Sequence, residues 1–310
     1  MLTQIVTVGS QVLILFILIG TGYLCGKAKI LTEPAVEGLT SFMLTVVVPS
    51  ALIDSFCRPF DPSLLRGFLI VIAAAVVSHL LGAALSRLIV RDGDPSTQRV
   101  LRFGATFGNC GYMGLPLLNA LLGSIGVFYG AAYIMIFTVI AWTYGLVQMT
   151  GDKREISVKK IVTNPGLIGS VIGIVIFLFS VKLPDVVYQP IHYLAALNTP
   201  VPMVIVGFYL SQADLGAIWR KFGNYAATFV RLVATPLLML GLMYLLGVRG
   251  EILVSVTAST AVPTAALTTM LSVRYRQDAR ASASIISMTT LLCLVTMPLI
   301  VGFAQYIGSR

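Results

Sequence analysis

Charge is what this chain is short of. Asp, Glu, Lys and Arg make up 11% of its residues, less than half of the quarter or so that a water-soluble domain carries. So little charge cannot cover a water-facing surface, and a bilayer is the solvent that suits such a chain. Acids are the scarcer sign, 12 Asp and Glu against 21 Lys and Arg, and only Asp54 approaches the inside of an apolar run. A cation–proton antiporter, which binds its ion on embedded carboxylates, therefore has no support. Two histidines and four scattered cysteines (Cys25, Cys57, Cys110 and Cys293) supply neither CxxC nor another metal-ligand spacing. No metal site is expected, and the cysteines read as packing residues. HExxH, a Walker loop, a phosphate-binding GxGxxG and a nucleophile–base pair are missing too, so no catalytic residue, no cofactor and no enzyme is expected. The start, MLTQIVTVGSQ, has no basic residue ahead of its apolar run, which argues against a cleaved signal peptide.

Long apolar runs are what the chain has instead. Hydrophobic residues make up 57% of it and the mean hydropathy is +0.93. A helix needs about 20 apolar residues to cross the hydrocarbon core. Runs of that kind lie near 5–25, 36–56, 67–90, 101–122, 125–147, 166–181, 189–211, 222–246, 251–272 and 281–305. The expected fold is an all-α integral membrane protein of ten transmembrane helices. The longest polar connector, QMTGDKREISVKKIVTNPG, falls mid-chain and divides residues 1–150 from 151–310, five runs on each side.

The cations set the orientation. One alternate set of connectors holds Lys27 and Lys29; Arg87, Arg91, Arg99 and Arg102; Lys153, Arg154, Lys159 and Lys160; Arg220 and Lys221; and Arg274, Arg276 and Arg280, which is 15 in all. The other set holds 5: Arg58, Arg66, Lys182, Arg249 and Arg310. The richer side is cytoplasmic by the positive-inside rule. A multi-pass protein of the cell (inner) membrane with both termini outside is expected. The net charge of +9 is thus a topology signal, and nucleic acid is not an expected partner.

The halves repeat each other. Pro49 interrupts the second run and Pro202 the seventh, 153 positions on; Pro116 interrupts the fourth and Pro263 the ninth, 147 on; His79 in the third is matched by Arg231 in the eighth, 152 on. Because five spans is an odd number, the second half must be inverted. Inverted repeats with discontinuous helices at matching places are the plan of many secondary transporters, with the substrate site at the breaks.

At the breaks the residue types point to an anion. The fourth run, TFGNCGYMGLPLL, sets Gly108, Gly111 and Gly114 around Asn109; the ninth, TASTAVPTAALTT, offers Thr257, Ser259, Thr260 and Thr264. Where Pro116 and Pro263 each start a second half-helix, the N–H groups of residues 117–119 and 264–266 are left to point inward, and such ends favour negative charge. The two broken helices cross, so both ends would meet near the midplane. The Asn109 carboxamide then holds a carboxylate, or only repairs the broken ladder. Arg231, about ten residues into its span, either faces the anion's path or snorkels to the cytoplasmic face. His79 either carries a proton or is a packing residue.

Together GNCGYMGLPLLNALLG, FVRLVATPLL, TASTAVPTAAL and TTLLCLVTMPLI resemble the auxin efflux carrier family, whose bacterial members include malate and malonate permeases. The resemblance covers essentially the whole chain, and its most specific element is the stretch from Asn109 to Pro116. It implies a crossover of the fourth and ninth helices, with Asn109, Pro116 and Pro263 at the family's crossover positions. It implies a scaffold of helices 1, 2, 6 and 7, a mobile transport domain of helices 3–5 and 8–10, an elevator-like movement, and commonly a homodimer through the scaffold. The short central loop departs from the long regulatory loop of the plant carriers. The expected function is secondary transport of a small organic anion. A sodium-coupled organic anion symporter of the bile-acid type is the alternative, and a non-transporting membrane sensor a remote one.

Overall fold

An apolar chain with no water to bond its peptide groups must bond them within itself, and helix is the local solution. In a computed structural model, residues 2–156, 158–212, 219 and 222–309 are described, with side chains from Gly9 onward. Arg220, Lys221 and Arg310, three cations of the charge count, lie outside the described residues. The helices are α1 (Leu2–Lys27), α2 (Glu33–Phe56), α3 (Pro62–Ile89), α4 (Pro95–Thr106), α5 (Cys110–Thr150), α6 (Val158–Val162), α7 (Pro165–Leu178), α8 (Asp185–Ala196), α9 (Pro200–Gln212), α10 (Phe222–Leu245), α11 (Gly250–Ala261), α12 (Leu267–Arg274) and α13 (Ala279–Gly308). Among the described residues the chain is helical with no strand, one isolated β-bridge apart.

Among the described residues, seven helical runs are long and apolar enough to cross a membrane: α1, α2, α3, α5, α8 continued by α9, α10 and α13. The pair Lys153–Val162 and Pro165–Leu178, bent by 46°, makes an eighth if taken as one span. α5 is divided within its 41 residues by Gly123 at φ 62, in the left-handed region that suits only glycine. α4 and α11, with 12 residues each, and α12, with 8, are too short: at 1.5 Å per residue, 12 residues reach about 18 Å against a core of about 30 Å.

The starts are written in a repeated dipeptide. Asp61–Pro62, Asp94–Pro95 and Asn164–Pro165 begin α3, α4 and α7. In each the acid or amide oxygen accepts a backbone N–H of the first turn, and proline occupies the first helical position. The hydrogen bonds from Thr97 hold the Asp94 carboxyl below the usual carboxylate range.

Pro49 and Pro116 do not break their helices, contrary to expectation. Each follows a widened π turn, Met43–Val47 before Pro49 and Cys110–Gly114 before Pro116, and Val230–Ala234 precedes Pro236 in the same way. In all three the residue just before proline donates its N–H five residues back: Val48 to Met43, Leu115 to Cys110, Thr235 to Val230. Proline's ring clashes with the carbonyl four residues before it, and one extra residue in the turn moves that carbonyl aside. Pro298 sits inside α13 with the helix intact, and Pro202 lies in the first turn of α9, just after the interruption at 197–199.

α1 packs along α9 and α13, α2 against α7 and α8, and α3 against α5. α11 is enclosed by α5, α10 and α13, and every residue from Leu253 to Ala261 is buried. α8, by contrast, buries none of its residues, and Phe179, Val186 and Tyr193 stand exposed nearby, as on a surface solvated by lipid.

Candidate functional site

Two helices end face to face in the interior. α4 stops at Thr106 and α11 at Ala261. The chain between α4 and α5 (residues 107–109) and that between α11 and α12 (262–266) lie side by side as an antiparallel bridge centred on Gly108 and Thr264. The Asn109 N–H donates to the Pro263 carbonyl at 2.7 Å, and the Ala265 N–H to the Phe107 carbonyl at 2.9 Å. Non-helical backbone inside a membrane must find partners within the protein, and here each break supplies the other's.

A single cation joins the two ends. Arg231, on the π turn of α10, is 1% exposed and is the only buried Asp, Glu, Lys or Arg among the described residues. It donates from Nη1 to the Thr106 carbonyl at 2.9 Å and from Nη2 to the Thr260 carbonyl. Those carbonyls belong to the last turns of α4 and α11. Each helix end carries about half a negative charge, so two ends together balance one guanidinium. Arg231 therefore does not snorkel. Its Nε has no hydrogen-bond partner, and the Tyr133 hydroxyl lies within electrostatic range of the guanidinium. Gly108 lies flush against it: a Cβ there would stand 3.0 Å from Cζ of Arg231 and 2.8 Å from Cγ2 of Val262.

Asn109 is the hinge of the first break. Its φ of −79° and ψ of 59°, with the Cys110 N–H reaching the Gly108 carbonyl at 2.9 Å, make an inverse γ-turn. Its Oδ1 accepts the Tyr112 N–H at 3.2 Å, so the side chain caps α5. The Nδ2 donor is left over, on a residue 9% exposed. Beside it Gly111 borders open space: a Cβ there would meet nothing within 4 Å.

The interruption thus lies seven residues before Pro116, which sits inside a continuous helical run with 117–119. The expected free N–H groups of 117–119 are not there, because Gly108 and the Asn109 cap end the helix first. The second break does contain its proline: Val262, at φ −70° and ψ 153°, is extended as the residue before proline tends to be. Yet two of its three amides, those of Thr264 and Ala265, are not free as expected. The Thr264 N–H donates to Oγ1 of Thr289 at 3.1 Å, and that of Ala265 is in the bridge. The Thr264 hydroxyl donates to the Gly104 carbonyl at 2.9 Å. The hydroxyls of Thr257 and Thr260 donate within α11, at 2.7 and 2.8 Å, and Ser259 is buried beside them.

His79 is buried on α3, with Nδ1 2.7 Å from the Ala75 carbonyl and its ring 5.7 Å from that of Phe107, 5.3 Å from Tyr133 and 6.0 Å from Phe137. These are the contacts of a packed imidazole one layer behind the first break. Gly108, Asn109, Thr260, Pro263, Thr264 and Arg231 come together, Gly111 and Ser259 adjoin them, and Pro116 and His79 stand back.

Sequence reasoning missed the carbonyls of Thr106 and Phe107, and the Thr289 hydroxyl. The Asn109 cap had a signal, a helix-capping residue followed by a fresh helical run; backbone acceptors carry none.

Comparison with known proteins agrees with a chain built for a membrane. The family model described as membrane transport protein matches residues 7–160 and 153–301. An uncharacterized transporter of Methanothermobacter thermautotrophicus is 26% identical over 306 residues, covering 94% of this chain and 96% of its own. An uncharacterized transporter of Methanocaldococcus jannaschii is 23% identical over 302 residues, covering 93% and 96%.

Proposed function

The chain belongs to the membrane transport protein family, the auxin efflux carriers, and from that premise we propose that it is a secondary transporter moving a small organic anion across the cell membrane. Arg231 carries this reading. Its charge is balanced by the ends of α4 and α11, but α5 and α12 start at the same place, at Cys110 and Leu267. Two helix N-termini add about half a positive charge each, so the junction holds a net charge of about +1 with no buried carboxylate among the described residues to cancel it. A carboxylate supplies the missing charge. Asn109 Nδ2 and the first turn of α5, beside the opening at Gly111, are the donors that would receive it.

In this reading the spans number ten, in two inverted sets of five. α4 with the first part of α5, up to Gly123, is the fourth span, and α11 with α12 is the ninth; the two cross at the bridge. The scaffold consists of spans 1, 2, 6 and 7 and pairs two copies into a homodimer. Spans 3–5 and 8–10 move as a body in an elevator-type alternating access, and both termini lie outside. Burial around α11 and the exposed, lipid-like face of α8 support that division. An anion alone leaving an inside-negative cell gains about 2.3 kcal/mol per charge at 100 mV, so export or exchange needs no coupling ion.

Counterflow in proteoliposomes tests the function. Preloaded malonate or malate is expected to accelerate uptake of the labelled acid, equally with and without a sodium gradient. Strict sodium dependence would replace this reading with a sodium symporter, and no counterflow by any carboxylate tried would remove it.

A further inference from the structure

A polar cleft of about 340 Å³, apart from the junction, lies where α3 ends, α4 begins and α5 ends. It is lined by Arg87, Pro95, Gln98, Arg99, Arg102, Val147 and Gln148. Three guanidiniums share it, and no acid is among these lining residues. They are also held in place. Arg102 donates from Nε to the Val90 carbonyl at 3.0 Å and from Nη2 to the Arg87 carbonyl at 3.3 Å. Arg99 donates from Nη1 to the Thr150 carbonyl at 3.1 Å, and Arg87 lies over the Tyr144 ring at 5.5 Å. A guanidinium has five N–H donors, so each keeps several.

The second observation is Gln148. Its Nε2 and Oε1 are both buried and both without a hydrogen-bond partner. A buried carboxamide with nothing to bond is costly, and an occupant that accepts from Nε2 removes much of that cost.

We propose that this cleft binds a phosphate group, a chemistry shared by phospholipid headgroups and soluble phosphate. Three fixed guanidiniums and an amide donor, approaching from several sides, suit the tetrahedral oxygens of a phosphate monoester or diester better than a single planar carboxylate. The placement fits too. Arg87 is in the last turn of α3, Pro95 is the first residue of α4 and Gln148 lies in the last helical segment of α5, so the cleft sits at helix ends, at headgroup depth when these helices span a bilayer. The side is the one richer in cations, where an anionic leaflet faces basic residues. The inference rests on the membrane reading but not on which acid the junction carries.

The test is a thermal melt of the purified full-length protein in uncharged detergent at matched ionic strength, titrated with inorganic phosphate, short-chain phosphatidylglycerol or malonate. The wild type is expected to be stabilised by phosphatidylglycerol, by phosphate or by both. A response to the lipid alone assigns a headgroup; a response to both assigns the phosphate group itself. Arg99→Gln is expected to weaken the response at least tenfold. Gln148→Leu is the safeguard should that variant misfold: losing an unpaired amide should leave the ligand-free melting temperature equal or higher while the response falls. No response in the wild type, a full response in Gln148→Leu, or malonate acting as strongly as phosphate would overturn the proposal. Counterflow of malonate is measured separately, so failure here leaves the transport reading intact, and the reverse.

Discussion

The two breaks do the same job with different residues. The first, at 107–109, is made by a glycine and a capping asparagine, and the proline that follows it is a bystander absorbed by a π turn. The second, at 262–266, is made by Pro263 itself and is tied to α13 through Thr289. The first has a side-chain amide donor left beside open space, Asn109 with Gly111. Only the first leads in from a capped helix: Asp94 caps α4, whereas α11 starts at Arg249 with no side-chain cap. A shared backbone bridge and a shared arginine need no shared sequence, since their partners are carbonyls that every residue has. In the proposed reading the first break is thus the chemical side of the junction and the second its anchor.

Removing what the breaks share should have the largest effect. Arg231→Met leaves the carbonyls of Thr106 and Thr260 without their donor. At about 1–3 kcal/mol for each buried unsatisfied group, the loss is about 2–6 kcal/mol, read as a fall in melting temperature together with loss of counterflow. Arg231→Lys keeps the charge without the planar fork and should fall between. A Met variant that melts at or above the wild type would show that the guanidinium does not join the two ends.

The next test separates packing from chemistry within the first break. Gly108→Ala drives a methyl onto Arg231 and Val262 and should cost about 1–3 kcal/mol through overpacking. Gly111→Ala meets nothing within 4 Å and should melt within about 0.5 kcal/mol of wild type while slowing transport through the narrowed opening. If both melt alike, the opening beside Gly111 has been misplaced.

The prolines sharpen the contrast further. Pro263→Ala frees Val262 from its extended conformation and adds a buried N–H at the break, at about 1–2 kcal/mol. Pro116→Ala lies within a continuous helix and should stay within about 0.5 kcal/mol of wild type. Equal destabilisation would mean that both breaks depend on proline after all.

The smallest effect concerns how the helices are entered. The Asp94 carboxyl titrates lower in the folded protein than in the unfolded chain, chiefly through the backbone hydrogen bond from Thr97. Its contribution is therefore present at neutral pH and is lost as pH falls below about 4, through the folded value. Asp94→Ser keeps a cap that does not titrate in that range, so its melting temperature should fall less steeply than that of the wild type between about pH 5 and 3. Parallel curves would remove Asp94 from the account.

Much of this was legible in advance because bilayer chemistry is crude. That the chain is helical and apolar enough for a membrane follows from its composition, and Asn109, Pro263 and Arg231 stand out as polar or helix-breaking residues in apolar surroundings; the Asp–Pro and Asn–Pro starts carry a capping signal that the reading of the runs passed over. What was hidden depends on backbone. Pro116 looks as disruptive as Pro263 in the sequence, since nothing there says that a π turn will absorb one and not the other. The same applies to the partners of Arg231, two main-chain oxygens from helices that lie 125 and 29 positions away.

In the proposed reading Asn109 serves the anion as well as the helix, and Asn109→Asp against Asn109→Ala separates the two roles. Aspartate is as good a helix cap as asparagine, whereas alanine gives up about 1 kcal/mol, so melting temperatures should run wild type and Asp together, then Ala. Affinity for a carboxylate should run in a different order. The Asp variant places like charges about 4 Å apart, worth about 4 kcal/mol at an effective dielectric of 20, and even half of that weakens binding more than tenfold. Alanine loses a donor without adding repulsion. Equilibrium binding of labelled malonate to the purified proteins at neutral pH should therefore rank wild type, then Ala, then Asp. An Asp variant that binds malonate as tightly as wild type would contradict the account.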